Sequence, residues 1–141
     1  MTTFIPPGDG YTLEGYIAEA PKEPSGERLH ESLTFKYRPA TRIDCARLNA
    51  EMEIIRAENK SDPECAVRAE QAGCEFVAKR VIVWDLKSAG THAVPVSAAA
   101  CERMHPFLYG SLFNIIRGIQ ASDKKPEAKE PPKTDEDMQK N

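Results

Sequence analysis

The clearest periodicity in the chain lies at Leu33, Phe35 and Tyr37, which alternate with Thr34, Lys36 and Arg38. A period of two is the pattern of a half-buried strand. Upstream, Tyr11 to Ala20 carries Leu13 and Ile17 among short residues and reads as a second strand, with Gly15 weakening it or marking a bulge. The stretch Pro21 to Arg28 between them is polar and rich in Pro, Gly and Ser. The two strands predict a hairpin. A lone hairpin is marginal in water, so helices must cover it.

The period then changes. Pro39 closes the second strand, and Thr41-Arg42-Ile43-Asp44 resembles a capping box with Asp in place of Glu or Gln. Ile43, Leu48, Met52 and Ile55 recur at near-helical spacing and predict a helix to about Asn59. A second start follows at Asp62-Pro63, where Asp caps and proline occupies the first helical position. Ala66, Ala69, Gly73, Val77, Val81 and Trp84 then follow one face, which predicts helix to about Val83. The run Val81-Ile82-Val83-Trp84 also fits a buried strand, since short apolar runs carry no period of their own. After a turn at Lys87-Ser88-Ala89-Gly90, Val94-Pro95-Val96 is extended. Ser97 caps a short helix from Ala98 to Met104, and His105-Pro106 restarts another. Leu108, Leu112, Ile115, Ile116 and Ile119 mark one face of it, with Phe107 and Phe113 beside. Between Pro95 and Ile119 the only formal charges are Glu102, Arg103 and Arg117. A helix so poor in charge sits centrally in a core or is covered by a partner.

These elements define an α+β fold: an N-terminal β-hairpin packed on a bundle of about three or four helices. The ends differ in composition. Phe4 to Gly10 is turn chemistry, with two prolines and two glycines. Ser122 to Asn141 holds five Lys, six Asp or Glu and three Pro, with Ala128 and Met138 its only apolar side chains. Such a segment buries too little apolar area to offset the entropy of ordering it, and is expected to be disordered. The expected organisation is therefore a flexible start over 1–10, one domain over 11–121 and a charged tail over 122–141. The chain has 141 residues, enough for one domain.

Charge and hydropathy narrow the function classes. The net charge is −3, and the body without its tail holds 14 basic and 16 acidic residues. The first helix carries Arg42, Arg47 and Arg56, with Arg38 just before it, but Glu51, Glu53 and Glu58 dilute them. No basic stripe results, so nucleic acid is not an expected partner. No stretch approaches the ~20 apolar residues of a membrane span, and residues 1–10 lack the pattern of a signal peptide. The expectation is no membrane association and a cytoplasmic location.

Candidate chemistry is sparse. Cys45, Cys65, Cys74 and Cys101 form no C-x-x-C pair and fit no zinc spacing, so they read as reduced, partly buried thiols of a reducing compartment. Cys101 and His105 stand four apart, but Pro106 breaks the helix that would align a nucleophile with its base. Neither a G-x-G-x-x-G nor a G-K-[ST] phosphate loop is present. The paired acids Glu51/Glu53 and Asp135/Asp137 read as solvated charge. No catalytic residue, cofactor or metal is expected. Trp84, the sole tryptophan, is expected to pack against the C-terminal helix with its N–H on a nearby acceptor, or to anchor a partner.

Several short motifs together carry a resemblance. They are Gly10-Tyr11-Thr12-Leu13-Glu14-Gly15-Tyr16-Ile17, then Phe35-Lys36-Tyr37-Arg38-Pro39 leading into a helix. Trp84-Asp85-Leu86 follows, with a turn to Val94-Pro95-Val96-Ser97. His105-Pro106-Phe107-Leu108-Tyr109 leads to Ile115-Ile116-Arg117-Gly118, and Ser122-Asp123 opens the charged tail. In this order, over residues 10 to 122, the chain resembles the tail assembly chaperone-like proteins of tailed bacteriophages and prophages. The resemblance implies a non-catalytic protein of the bacterial host cytoplasm. Such proteins coat the long helical tape measure protein and keep it soluble while the tail tube polymerises.

A chaperone of a long amphipathic helix needs an apolar surface. The expected surface is bordered by Trp84, Phe107, Leu108, Leu112 and Ile116, with the tape measure protein or another tail protein as partner and self-association as a further mode. The alternatives are a minor structural component of the tail and a small prophage regulator that binds nucleic acid.

Overall fold

The computed structural model describes residues 10–20, 29–88 and 91–126. The expectations for 1–9, for the 21–28 loop, for Ala89 and Gly90 of the expected turn and for 127–141 of the tail fall outside them. The fold is α+β. A three-stranded antiparallel sheet in the order β1-β2-β3 is formed by β1 (Leu13–Ile17), β2 (Leu33–Tyr37) and β3 (Val81–Trp84). Between β2 and β3 run α1 (Arg42–Glu58) and α2 (Pro63–Arg80); α3 (Ala98–Glu102) and α4 (Pro106–Ile116) follow.

The hairpin forms as its alternation dictates. β1 pairs with β2 from Leu13↔Tyr37 to Ile17↔Leu33, and Leu33, Phe35 and Tyr37 all point inward. β1 is shorter than the expected Tyr11–Ala20 strand, although Ala20 still donates its N–H to the His30 carbonyl at 3.1 Å. Gly15 is where the inner face demands a missing side chain, because a Cβ there would stand 2.4–2.9 Å from three carbons of the Phe35 ring.

The third strand corrects the helix expected to reach Val83. α2 ends at Arg80, and Val81 turns extended while its N–H caps the Val77 carbonyl. The free edge of β2 then takes Val81–Trp84, with Phe35↔Trp84, Lys36↔Val83 and Tyr37↔Val81 in register. Tertiary pairing overrides the helical continuation in a run whose first three residues are β-branched. Ile82 is the extra residue of a bulge opposite Lys36 and Tyr37, so Val81 and Trp84 both face the core while Ile82 and Val83 are exposed.

The helix starts follow their sequence signals. Thr41 Oγ1 accepts the Asp44 N–H at 3.1 Å and Asp44 Oδ2 accepts the Thr41 N–H at 2.9 Å, a reciprocal box. Asp62 accepts the Glu64 N–H at 2.9 Å with Pro63 next in line. Ser97 caps α3 and His105 caps α4. Gly118, at φ +78°, ends the last helix: its N–H reaches the Ile115 carbonyl and the Ile119 N–H reaches that of Asn114. This glycine-dependent cap turns the chain away and leaves Ile119 exposed, although it was expected on the buried face.

The main core gathers the inner face of the sheet, α2, α3 and α4 around Phe35, Leu33, Val77, Leu112 and Ile116. α1 packs on α2 through a smaller cluster of Leu48, Met52, Ala69 and Ala72. Ile43 does not join it; at 57% exposed it lies on the opposite side of α1, because 43 and 48 are not helically in phase. The start of the tail also departs from the disorder expected of it. Ser122 Oγ accepts the Tyr16 N–H at 2.7 Å, Asp123 Oδ2 accepts the Ala18 N–H at 2.8 Å, and the Asp123 N–H donates to the Tyr16 carbonyl at 2.9 Å. These bonds occupy the outer edge of β1 with polar chain rather than leaving it open.

A groove beside the Trp84 loop

Of the five residues expected to border a partner surface, four belong to the core. Leu112 and Ile116 are fully enclosed, Leu108 is 5% exposed and Trp84 8%. The apolar pattern that marked them is that of burial within the chain: α4 packs against α2 and β1, so its charge-poor face has intramolecular partners. Trp84 is buried at the end of β3, not of a helix, and its Nε1–H finds the expected nearby acceptor in the Val94 carbonyl at 2.6 Å. Phe107 alone stands out, 63% exposed at the start of α4.

Close to Phe107 the described residues enclose a wide recess, which His105 and Leu108 help to line. It is a groove of about 1200 Å³, with Leu86, Val94, Pro95, Ala100, Met104 and Leu108 supplying much of its apolar wall. Three pieces of local structure build it. The segment after β3 folds back on itself: the Val94 N–H donates to the Leu86 carbonyl at 2.9 Å and the Ser88 N–H to that of His92 at 2.9 Å. Trp84 ties the returning limb down through Val94. α3, which opens on the triplet Ala98-Ala99-Ala100, forms the second wall, where Ala99 and Ala100 present small side chains and so leave space. Residues His30 to Ser32, leading into β2, form the third. The signal that sequence reasoning passed over is this alanine triplet, set between an extended Val-Pro-Val and a proline-initiated helix.

The rim carries both signs of charge, with Glu31 and Asp85 against Lys87 and Arg103. Asp85 is spent on structure: its Oδ1 accepts the Thr34 N–H at 2.8 Å and its N–H donates to the Thr34 carbonyl at 3.1 Å, which extends the β2–β3 pairing by one residue. Two histidines meet at one end, ring centroids 6.0 Å apart. His30 donates Nδ1–H to the Glu31 carbonyl at 2.9 Å. His105 accepts the Phe107 N–H at Nδ1, 3.1 Å away, and stands 5.2 Å from the Phe107 ring. These bonds fix opposite tautomers for the neutral rings, leaving Nε2 of His30 as an acceptor and Nε2–H of His105 as a donor.

Cys101 and His105 do not make a nucleophile and base. Cys101 is buried, and that burial pushes its thiol up to about 12. His105 has committed Nδ1 to its helix cap. Burial likewise raises the thiol of Cys74 and the phenol of Tyr109 above their ordinary values. Among the described residues, no three His, Cys, Asp or Glu side chains are placed to hold a metal ion, and no helix is long and apolar enough to cross a membrane. No protein-family model, curated protein or solved structure matches this chain.

Proposed function

We propose that the protein is a non-catalytic assembly factor of tailed phages. In this reading it works in the host cytoplasm, holding a helical segment of a tail protein, the tape measure protein in the first instance, in the groove beside Trp84. The observation that carries the reading is the groove itself. It is open and mostly apolar, and the exposed ring of Phe107 stands 5.2 Å from His105, one of its lining residues. At about 1200 Å³ it is larger than the roughly 300–1,000 Å³ of most small-molecule pockets. An amphipathic helix binds such a surface through a few anchors on one face, while its polar flanks meet a rim of mixed charge. The walls are held by Trp84, Ser97 and Asp85, so the surface is preformed and little ordering entropy is lost on binding.

The sequence resemblance points to the same class of protein; because four of the five expected residues are buried, the contact surface is proposed at the N-terminal end of α4 and the preceding loop rather than on the helix's inner face. Ala99 and Phe107 are exposed there and can be changed without opening the core. Co-expression with the tape measure protein encoded in the same phage genome is expected to keep that protein soluble. Ala99→Arg, which fills the groove, and Phe107→Ser, which removes the exposed ring beside His105, are each expected to abolish the rescue while the thermal midpoint of the factor itself stays within a few degrees. Rescue that survives both substitutions, or no rescue by the unaltered protein, refutes the proposal.

A further inference from the structure

α1 is apolar on two opposite sides. Leu48, Met52 and Ile55 face α2. On the far side, Ile43, Ala46, Ala50, Ile54 and Ala57 fall within about 80° of arc at 100° per residue, and all five are exposed. Ile43 and Ile54, at 57% and 65%, are among the most exposed large apolar side chains of the described residues. One inward stripe is all that a surface helix of a monomer requires.

The charges beside the outer stripe show what covers it. Arg47 and Glu51 lie along one flank, Arg42 and Glu53 along the other. None of the four makes a salt bridge among the described residues, although Glu75 and Lys79 of α2 line the same recess as Arg47 and Glu51. When a helix packs against an antiparallel copy of itself about a two-fold axis, each flank meets the same flank of the partner, and residue i opposite j implies j opposite i. With the axis level with Leu48 and Asn49, Ile43 stands opposite Ile54 of the second copy, and Ala46 opposite Ala50. In the same register Arg47 meets Glu51 on one flank, and Arg42 meets Glu53 on the other. All these pairs agree in height to within about 3 Å. The alanines at the centre let the two helix axes approach closely.

We propose that this face of α1 is a homodimer interface, closed by an antiparallel α1–α1 contact between two copies of the chain. The proposal stands apart from the groove, whose residues it does not use, so neither test decides the other. One helix pair buries less than the ~1,200 Å² at which stable interfaces begin, so the dimer is weak and concentration-dependent.

Sedimentation equilibrium of the full chain at low salt tests it. The weight-average mass is expected to rise from 15.7 kDa toward the dimer value with concentration, and to fall back as salt screens the flanking pairs. Ile54→Ser is expected to leave a monomer with an unchanged circular dichroism spectrum. Arg47→Glu and Glu51→Arg each place like charges opposite one another twice per dimer, and each is expected to weaken association roughly tenfold. Mixed in equal amounts, the two variants restore both attractive pairs in a heterodimer. Recovery of dimer on mixing is the decisive result, because a folding defect would not be repaired that way. A chain that stays monomeric throughout overturns the proposal. So does a dimer indifferent to Ile54→Ser, or a pair of charge variants that associate no better together than apart.

Discussion

Gly15→Ala tests the packing of the sheet at its tightest point. The added methyl would lie 2.4 Å from Phe35 Cζ and 2.6 and 2.9 Å from the two adjacent ring carbons. Ordinary carbon–carbon contacts are about 3.5–4.0 Å, so the ring must retreat by about 1 Å. It has little room. Phe35 is 1% exposed, its ring centroid stands 5.3 Å from that of Tyr37, and it is paired across β3 with Trp84. Overpacking of this kind costs about 1–3 kcal/mol, and relief of the glycine's conformational entropy returns up to about 1 kcal/mol. The net expectation is a loss of about 1–2 kcal/mol. With a urea slope of about 1–2 kcal/mol/M for a small domain, the midpoint falls by about 1 M. Trp84 is the sole tryptophan and lies across from Phe35, so its fluorescence reports this unfolding directly. Phe35→Leu combined with Gly15→Ala should cost less than the sum of the two single changes, because the smaller side chain vacates the space the methyl needs. A Gly15→Ala variant as stable as the parent, or strict additivity of the pair, refutes the close-contact reasoning.

Two further predictions concern titrating groups. The N–H of Thr41, with help from Arg80 at 3.0 Å, holds the Asp44 carboxyl below its ordinary value of 3.8. A carboxylate depressed in the folded state contributes stability that is present above its unfolded pKa and is lost as pH falls through the folded one. Asp44→Asn should therefore lower stability by about 1 kcal/mol near neutrality, and in chemical melts the gap to the parent should close below about pH 4; a gap that persists unchanged in acid contradicts the assignment. Among the thiols, Cys45 is half-buried while Cys65, Cys74 and Cys101 are buried, with burial raising the last two. A disulfide reagent at mildly alkaline pH should modify Cys45 first and the other three only at the rate of unfolding, which peptide mapping of partly reacted protein resolves; rapid loss of Cys101 would mean that the α3 wall opens.

What the sequence makes legible here is local. The caps at Thr41, Asp62, Ser97 and His105 are each decided by a few consecutive residues, and each helix starts where its cap places it. The alternation at Leu33, Phe35 and Tyr37 is likewise self-contained. Val81–Trp84 is different in kind. Its conformation is settled by whether β2 has a free edge within reach, and the four residues themselves hold no information about that. Ile43 and Ile119 show a subtler limit. Both sit beside genuine periodic positions, but one is out of phase with the buried stripe and the other lies beyond a left-handed glycine.

The burial of four of the five residues expected to border a partner surface follows from the same physics. Hydrophobicity along a chain reports where apolar area must leave water; it does not report whether the cover comes from the same molecule. α4 has almost no charge, and that feature fits a docking helix and a central helix equally well until its neighbours are known. Here the sheet and α2 take its apolar face, and the two surfaces proposed above for other chains are ones that sequence periodicity ranks low. One is a groove lined in part by Ala99 and Ala100, with the exposed Phe107 beside its His105. The other is a second stripe on α1, diluted by alanine and interrupted by charge. The charges that dilute the arginines of α1 in the sequence are the ones that become complementary when the helix is set against its own reversed copy, as proposed. A stripe of isoleucine and alanine flanked by Arg42, Arg47, Glu51 and Glu53 is featureless read singly and self-matching read in pairs, and pairing is a property that only a helix of settled orientation can display.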